Sequence, residues 1–412
     1  MDQNEPRIYL SPPHMSGHEI KYINEAFAKN WIAPLGNNVD RLEEDLQNYA
    51  KRQHVAVVTS GTAAIHLALI LCGVGPGDEV ICQSLTFAAT ANPIKYLGAI
   101  PIFIDSESET WNMDPELLEK AIVERMEGVG NNGEKPKAII FVDLYGMPAK
   151  VEQILKIGSK YNIPVIEDSA EALGSSVNGR NCGTFGVLSV YSFNGNKIIT
   201  TSGGGALLSN KKDFIKKARF LATQARDNAP HYQHSKLGYN YRMSNIVAGI
   251  GRGQMKVLDE HVSARRANYD FYFKHLNGRW LEDTPIQNAR RKTHNSSNGI
   301  YFLKEPDGYF SNRWLTTVLV NPEETGGITR EDIRLALEEK NIESRPFWKP
   351  MHLQPLYRKY PYYGRDVSDQ LFKYGLCLPS GSNLSNKERL RVVSVIKKVL
   401  NIKEDKFPVV QG

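Results

Sequence analysis

The chain has 412 residues, 41% hydrophobic and 9% aromatic, an ordinary globular composition with enough apolar side chains for two domains. A formal net charge of +6 suits an anionic small ligand, but the basic residues are scattered and the longest cluster, Arg290-Arg291-Lys292, is too brief for a nucleic-acid-binding stripe. Cys72, Cys82, Cys182 and Cys377 lie far apart with no CxxC pair, so neither a disulfide framework nor a zinc site is signalled, and reduced thiols in the cytoplasm are expected.

The N-terminal stretch, MDQNEPRIYLSPPHMSG, carries acidic residues and prolines where a secretion signal needs a basic start and an apolar run. No run approaches the roughly 18 apolar residues of a membrane span. From residue 54 short apolar segments alternate with helical ones. Strands are predicted at His54 to Val58, Glu79 to Cys82, Ile100 to Ile104, Ala138 to Leu144, Ile163 to Glu167, Leu188 to Ser192 and Gly205 to Ser209. Helices are predicted between the early ones, at Thr62 to Cys72, Thr86 to Leu97, Pro115 to Glu127 and Lys150 to Tyr161, from apolar residues at three-to-four spacing. This alternation predicts an α/β fold with a mainly parallel sheet and a ligand site at the carboxyl ends of its strands.

Beyond the sheet, Met243 to Leu276 reads as one long linker helix and Pro285 to Gly299 as a polar, mobile loop. A strand at Trp314 to Val320 and helices at Arg330 to Lys340 and Glu388 to Leu400 point to a smaller C-terminal α/β domain. The expected division is an N-terminal arm over 1–20, a large domain over 21–260 and a small domain over 261–412.

Three segments carry chemistry. Thr59-Ser60-Gly61-Thr62-Ala63-Ala64 lies between a strand end and a helix start, where free N–H groups and the helix dipole favour an anion; a plain Ser/Thr cap fits the same residues. Glu167-Asp168 closes a strand, so a carboxylate can reach the crevice and pair with a protonated heterocycle nitrogen, or merely cap the next turn. Ser192-Phe-Asn-Gly-Asn-Lys197, followed by Gly203-Gly-Gly205, ends a strand in a polar turn bearing a lysine; desolvated there, its neutral amine is available for a Schiff base, although most lysines are solvated surface charges. Together the three supply what pyridoxal 5'-phosphate (PLP) needs: a phosphate cradle, an acid for the ring nitrogen and an amine for the aldehyde. Competing readings fail on context: Gly73-Val-Gly75-Pro-Gly77 precedes a strand instead of opening a helix, no P-loop is present, and His231 and His234 lack further ligand-spaced partners, so no metal is expected.

These segments resemble the DegT/DnrJ/EryC1/StrS family of PLP-dependent sugar aminotransferases over nearly the whole chain. Within it the chain is most similar to the bacillosamine-type enzymes acting on UDP-4-keto-6-deoxy-N-acetylglucosamine. Ile8 to Met15, Asn30 to Gly36, Glu167 to Gly174, Ser192 to Gly205 and Trp348-Lys-Pro-Met-His352 carry that likeness. The resemblance implies the fold-type-I, aspartate-aminotransferase-like PLP transferase fold. It puts Thr62, Ala63 and Ser192, beside Ser60 and Gly61, on the phosphate, Asp168 on the pyridinium nitrogen and Lys197 on the aldehyde carbon. It stacks Phe87 on the ring and counts Glu171 and Asn194 with the cofactor site. Asn240 matches an asparagine that reaches the neighbouring subunit's phosphate, which implies a homodimer with shared active sites; a turn asparagine is the plain alternative.

Glu171 replaces the His or Gln of many members, and Ser202-Gly203-Gly204 the commoner Gly-Glu-Gly; both changes match the bacillosamine-type group. A lysine at 197, where dehydratase variants carry histidine, favours transamination over dehydration; the resemblance implies glutamate as donor and a UDP-linked keto sugar as acceptor, with another nucleotide keto sugar, such as a GDP-4-keto hexose, or a non-catalytic PLP-fold binding protein as the alternatives. Trp31, Ile32, Ala33, Pro34, Asn196, Asn312, Arg313, Arg345 and His352 are the candidate substrate contacts; the arginines suit a diphosphate or a donor carboxylate, or equally a structural salt bridge.

Overall fold

The structure is a computed structural model that describes residues 5–130, 133–281 and 298–402. Helices α1 (Glu19–Ala28) and α2 (Asn37–Ala50) precede an alternating run: β1 (His54–Val58), α3 (Gly61–Leu71), β2 (Glu79–Gln83), α4 (Ala88–Tyr96), β3 (Ile100–Ile104), α5 (Pro115–Met126), β4 (Ala138–Val142), α6 (Val151–Lys160) and β5 (Val165–Asp168). A short hairpin, β6 (Ser176–Val177) and β7 (Arg180–Asn181), leads to β8 (Leu188–Ser192), β9 (Gly205–Ser209) and α7 (Lys212–Ala222). Next come α8 (Asn245–Met255), α9 (Leu258–His275), β10 (Arg279–Trp280), β11 (Ile300–Phe302), β12 (Tyr309–Phe310), β13 (Thr316–Val320), α10 (Arg330–Glu339) and β14 (Arg345–Pro346). The chain closes with β15 (Tyr362–Tyr363), α11 (Val367–Tyr374), β16 (Gly375–Leu378) and α12 (Asn386–Val399).

The large sheet runs β1-β9-β8-β5-β4-β2-β3-β15. Its neighbours from β8 to β15 pair in parallel, and β9 alone runs antiparallel, between β1 and β8. The central strands are apolar on both faces because helices cover both. Val80, Cys82 and Ile140 pack with α3 and α7, whereas Ile81, Ile139 and Phe141 pack with α5 and α6. A five-stranded sheet, β10-β11-β13-β16-β14, packs against α9, α10 and α12 as the smaller C-terminal unit.

Two expectations change. The long helix is broken between Met255 and Leu258, where the N–H groups of Lys256 and Val257 turn back to Gly253 and Gln254 carbonyls; Ser244 caps the first piece through Val247 N–H. Gly253 lies so close to Glu19 that a Cβ would stand 2.6 Å from its backbone nitrogen, which holds α8 on α1 and lets the chain turn only afterwards. Residue 260 thus falls inside α9, and β15 returns to the large sheet from the C-terminal third. Most of the polar loop of 285–299 lies outside the described residues.

One buried polar cluster underlies the sheet's carboxyl edge. Glu167 and Asp168 alternate on β5, so Glu167 faces away from Asp168 and accepts from Gly183 N–H and Phe185 N–H, both at 2.7 Å, and from Ser189 Oγ at 2.9 Å. Burial, then the neighbouring Glu167, push the Asp143 carboxyl well above the ordinary range, and burial raises Glu167 as well. Cys182 is the third buried member of this group.

Leu118 is fully buried between α5 and the sheet. Leu118→Ala is expected to lower unfolding free energy by about 2–5 kcal/mol, through lost transfer energy and a residual cavity, with no change in activity per folded molecule. Denaturant unfolding beside an assay of the folded fraction checks both.

Candidate active site

A cavity of about 280 Å³ lies at the carboxyl ends of the central strands, where a doubly wound sheet is expected to hold its ligand. It is built from three segments far apart in sequence.

The first is the turn from β1 into α3. Ser60 caps the helix, its Oγ accepting from Ala63 N–H at 3.0 Å. The N–H groups of Gly61 and Thr62 belong to the first turn and have no intrahelical acceptor, so with the Ser60 and Ser192 hydroxyls they form a donor-rich end. The turn fits only because β9 begins with glycine: a Cβ on Gly205 would stand 2.5 Å from Gly61 N and from Ser60 C. The second segment is the end of β5. Asp168 is buried, with Oδ2 accepting from Thr90 Oγ1 at 2.7 Å and Oδ1 from Ala170 N–H at 3.2 Å. Burial pushes its carboxyl above the ordinary range against those hydrogen bonds, and among the described residues no cation is ion-paired with it.

The third segment is the loop joining antiparallel β8 and β9. Its base is closed by Phe193 N–H to the Gly204 carbonyl and Thr201 N–H to the Phe193 carbonyl, and a turn with Lys197 N–H donating to the Asn194 carbonyl presents the lysine. Asn196 O accepts from Ser11 Oγ at 2.6 Å and Trp314 Nε1 at 2.7 Å. Buried Arg265 donates to the carbonyls of Trp314 and Lys197. The lysine side chain, 11% exposed, sets Nζ 3.2 Å from Glu171 Oε1 and 4.1 Å from the Trp314 ring centroid. It is buried, as the sequence suggests, yet paired with a carboxylate.

The anion-ready helix end, the buried carboxylate awaiting a cationic partner and the enclosed lysine fit PLP. They would hold its phosphate, ring nitrogen and aldehyde respectively. The DegT/DnrJ/EryC1/StrS aminotransferase family model matches residues 13–397. The chain belongs to this family. It is therefore a PLP-dependent sugar aminotransferase. The DegT-family chain is 50% identical over 394 residues to EpsN of Bacillus subtilis (strain 168), named as a pyridoxal phosphate-dependent aminotransferase, covering 95% of each chain. It is 36% identical to the GDP-perosamine synthase of Escherichia coli O157:H7, over 94% of this chain and 97% of that protein. Among solved structures it is similar to a DegT DnrJ EryC1 StrS aminotransferase from Brucella abortus, with a TM-score of 0.81, 27% identity and 93% and 95% of the two chains covered. The PLP form of a Streptococcus pneumoniae sugar aminotransferase superposes with a TM-score of 0.82 at 25% identity, over 96% and 99% of the chains.

Of the sequence-derived candidates, Ser60, Gly61, Thr62, Phe87, Asp168, Glu171, Ser192, Asn194, Asn196 and Lys197 line the one cavity. Ala63 does not, because the Ser60 cap takes its N–H. Asn240 is exposed on an edge bridge with Thr223, away from this cavity. Trp31 lines a separate, larger cleft of about 590 Å³ with Arg242 and Asn245, and Ile32 is exposed beside it. Ala33 accepts Asn245 N–H, and Pro34 follows it.

Three substrate candidates have internal partners for their polar groups. Asn312 is fully buried: its Nδ2 donates to the Glu171 and Leu173 carbonyls and its Oδ1 accepts Trp314 N–H, which occupies the amide at both ends. Arg313, with a left-handed backbone at φ 51°, turns its guanidinium over the Tyr269 ring and donates to the Leu303 carbonyl. His352 has both ring nitrogens engaged, with Ser84 Oγ at 2.7 Å and Asp369 Oδ1 at 2.9 Å. Arg345 stays exposed and pairs with Glu343 at 2.9 Å.

Thr90, Tyr145, Trp314 and Trp348 are additions. Trp348 opens a quoted motif, and Thr90 stands one helical turn after Thr86; both signals were readable. For Tyr145 the sequence holds none.

Because burial raises Asp168, the folded cofactor-free protein takes up a proton that the unfolded chain does not. That contribution is complete below the ordinary carboxyl range and is lost as pH rises through the folded value. Cofactor-free Asp168→Asn is therefore expected to be more stable than the parent at neutral pH, by on the order of 1 kcal/mol, the difference vanishing in acid. Its PLP affinity is expected to fall roughly 10- to 100-fold, the worth of one charged hydrogen bond. Unfolding across pH and a PLP titration read the two effects.

Proposed function

We propose that the chain moves an amino group from glutamate to C4 of a UDP-linked 4-keto-6-deoxy-N-acetylhexosamine, giving a UDP-4-amino sugar for bacillosamine-type glycan or polysaccharide synthesis. The carrying observation is the single cavity that joins the α3 N-terminus, Asp168 and Lys197. A second cavity, about 320 Å³, shares Asn196, Trp314 and Trp348 with it and extends along Tyr9 to Pro13 of the N-terminal arm, which supports an acceptor longer than an amino acid. For the sugar, support comes from Glu171 and Ser202-Gly203-Gly204, which match the bacillosamine-type pattern. The likeness to GDP-perosamine synthases favours a second reading, in which the acceptor is a GDP-4-keto hexose.

When bound, PLP supplies an aldehyde that takes up an amino group and a ring that absorbs charge as a C–H bond breaks. Lys197 removes the proton from Cα of the donor and later delivers one to C4 of the sugar. Asp168 keeps a proton on the ring nitrogen through both halves, which its burial makes possible only opposite a cation. Phe87 and Trp348, ring centroids 5.7 Å apart, form an apolar wall of the cavity. Arg345 at the Glu343 side of the second cavity is the anion contact in this reading.

The active unit is a cytoplasmic homodimer in which Asn240 completes the partner's site. Exposed Phe27, Trp31, Ile32, Leu35, Tyr232 and Leu237 support it as apolar surface for a second copy to cover. No helix among the described residues is long and apolar enough to cross a membrane.

Supplying glutamate with each keto sugar in turn decides the acceptor: turnover of the UDP sugar alone is expected, and turnover of the GDP sugar alone moves the conclusion to the second reading. Lys197→Ala should abolish turnover with the fold intact; an active variant refutes the lysine's role. Mixing inactive Lys197→Ala with Asn240→Ala should restore activity through mixed dimers, each carrying one intact site. Failure to do so, with mixed dimers demonstrated, removes the shared site.

A further inference from the structure

Two carboxylates and one amine face the cavity, and their partners divide unequally. Asp168 is satisfied by Thr90 and Ala170. Glu171, only 4% exposed, is tied to the lysine: Oε1 accepts from Lys197 Nζ at 3.2 Å, while Oε2 accepts from Tyr145 N–H at 2.7 Å. The protein therefore aims this carboxylate without help from the lysine.

The aiming is elaborate for a single hydrogen bond. Tyr145 has a left-handed backbone at φ 55°, a conformation that disfavours a bulky side chain, and this turns its N–H towards Glu171. Its hydroxyl accepts Trp348 N–H at 2.8 Å, and its ring packs on Phe347 and Trp348. From the other side Asn312 Nδ2 holds the Glu171 carbonyl at 2.9 Å. Trp314 lies beneath the lysine ammonium, and the π face attracts the cation without binding it at a point. Among the described residues, Glu171 alone makes an ion pair with Nζ.

We propose that Glu171 is the positioning residue for Lys197: its Oε1, aimed by the Tyr145 amide, holds the freed amine as an ammonium above Trp314 and fixes the point from which the proton is delivered. The inference rests on Lys197 as the reacting lysine. When the ammonium delivers its proton to carbon, the N–H bond breaks, the C–H bond forms and the electron pair of the broken bond stays on Nζ, whose amine remains within hydrogen-bond reach of Oε1.

Glu171→Gln keeps the side-chain shape and an acceptor for Tyr145 N–H but removes the charge; Glu171→Asp keeps the charge and shortens the reach. Both variants are expected to fold and to retain PLP. In Glu171→Gln the exchange of the glutamate Cα hydrogen with solvent should slow by on the order of 100-fold, with KM for glutamate little changed, and Glu171→Asp should recover part of that loss. In the cofactor-free protein, PLP addition at neutral pH, trapped by borohydride and located at Lys197 by mass spectrometry, should be faster in Glu171→Gln by on the order of 10-fold, since no carboxylate then ties up Nζ. Parent-like exchange and labelling in Glu171→Gln overturn the proposal. So does a Glu171→Gln protein whose only defect is weakened PLP binding, because that is a cofactor contact and not a hold on the lysine. Borohydride trapping at a residue other than Lys197 in the parent instead strikes the underlying lysine assignment, so the two failures are separable.

Discussion

A buried carboxylate with no cation ion-paired to it among the described residues is the constraint around which this structure is arranged. Asp168 is costly where it stands, and the hydroxyl of Thr90 and the amide of Ala170 offset only part of that cost. The position itself follows from topology: β5 is central in the large sheet, parallel strands place their carboxyl ends on one side, and a residue at that end meets whatever the crevice holds. A protonated heterocycle is the complement the site lacks, and the family's cofactor provides it. The α3 N-terminus and the lysine loop are then set by the same geometry, since β9 threads between β8 and β1 and brings the turn at Gly61 against Gly205.

Much of this was legible in sequence because buried parallel strands are short apolar runs with abrupt ends. His54–Val58, Ile100–Ile104, Leu188–Ser192 and Gly205–Ser209 fall where the pattern put them. The helix break after Met255 has no local mark in the sequence, and the close approach of Gly253 to α1 just before it is a long-range contact. Lys197 and Asp168 were readable as polar residues at strand ends. The internal partners of Asn312, Arg313 and His352 leave no mark in the sequence, since polar residues inside a motif look available until their partners are known. Tyr145 was invisible, since what it contributes is a backbone amide.

The lysine's backbone is held as firmly as its side chain. Carbonyls of Asn196 and Lys197 receive donors from the N-terminal arm, from Trp314 and from Arg265, which also donates to Ser11 Oγ and to the carbonyls of Trp314 and of Ser380 in the smaller unit. Arm, large sheet and small sheet therefore meet at one loop. A reacting amine that must alternate between covalent attachment and proton transfer gains from a loop that does not move with it.

β15, at the edge of the large sheet, carries a consequence for biosynthesis. Tyr362 and Tyr363 pair with Phe103 and Ile104, and Asp105 then accepts the N–H groups of Arg365, Val367 and Ser368, so the outer edge of β3 is covered only by a segment near the end of the chain. On the ribosome the strands bearing the active site emerge first and must wait, with one apolar edge bare, for the last fifty or so residues. During that interval the nascent chain presents a ready template for pairing with another copy. Truncation shortly before residue 362 would make that exposed state permanent, so intactness of the C-terminus guards solubility as well as shape.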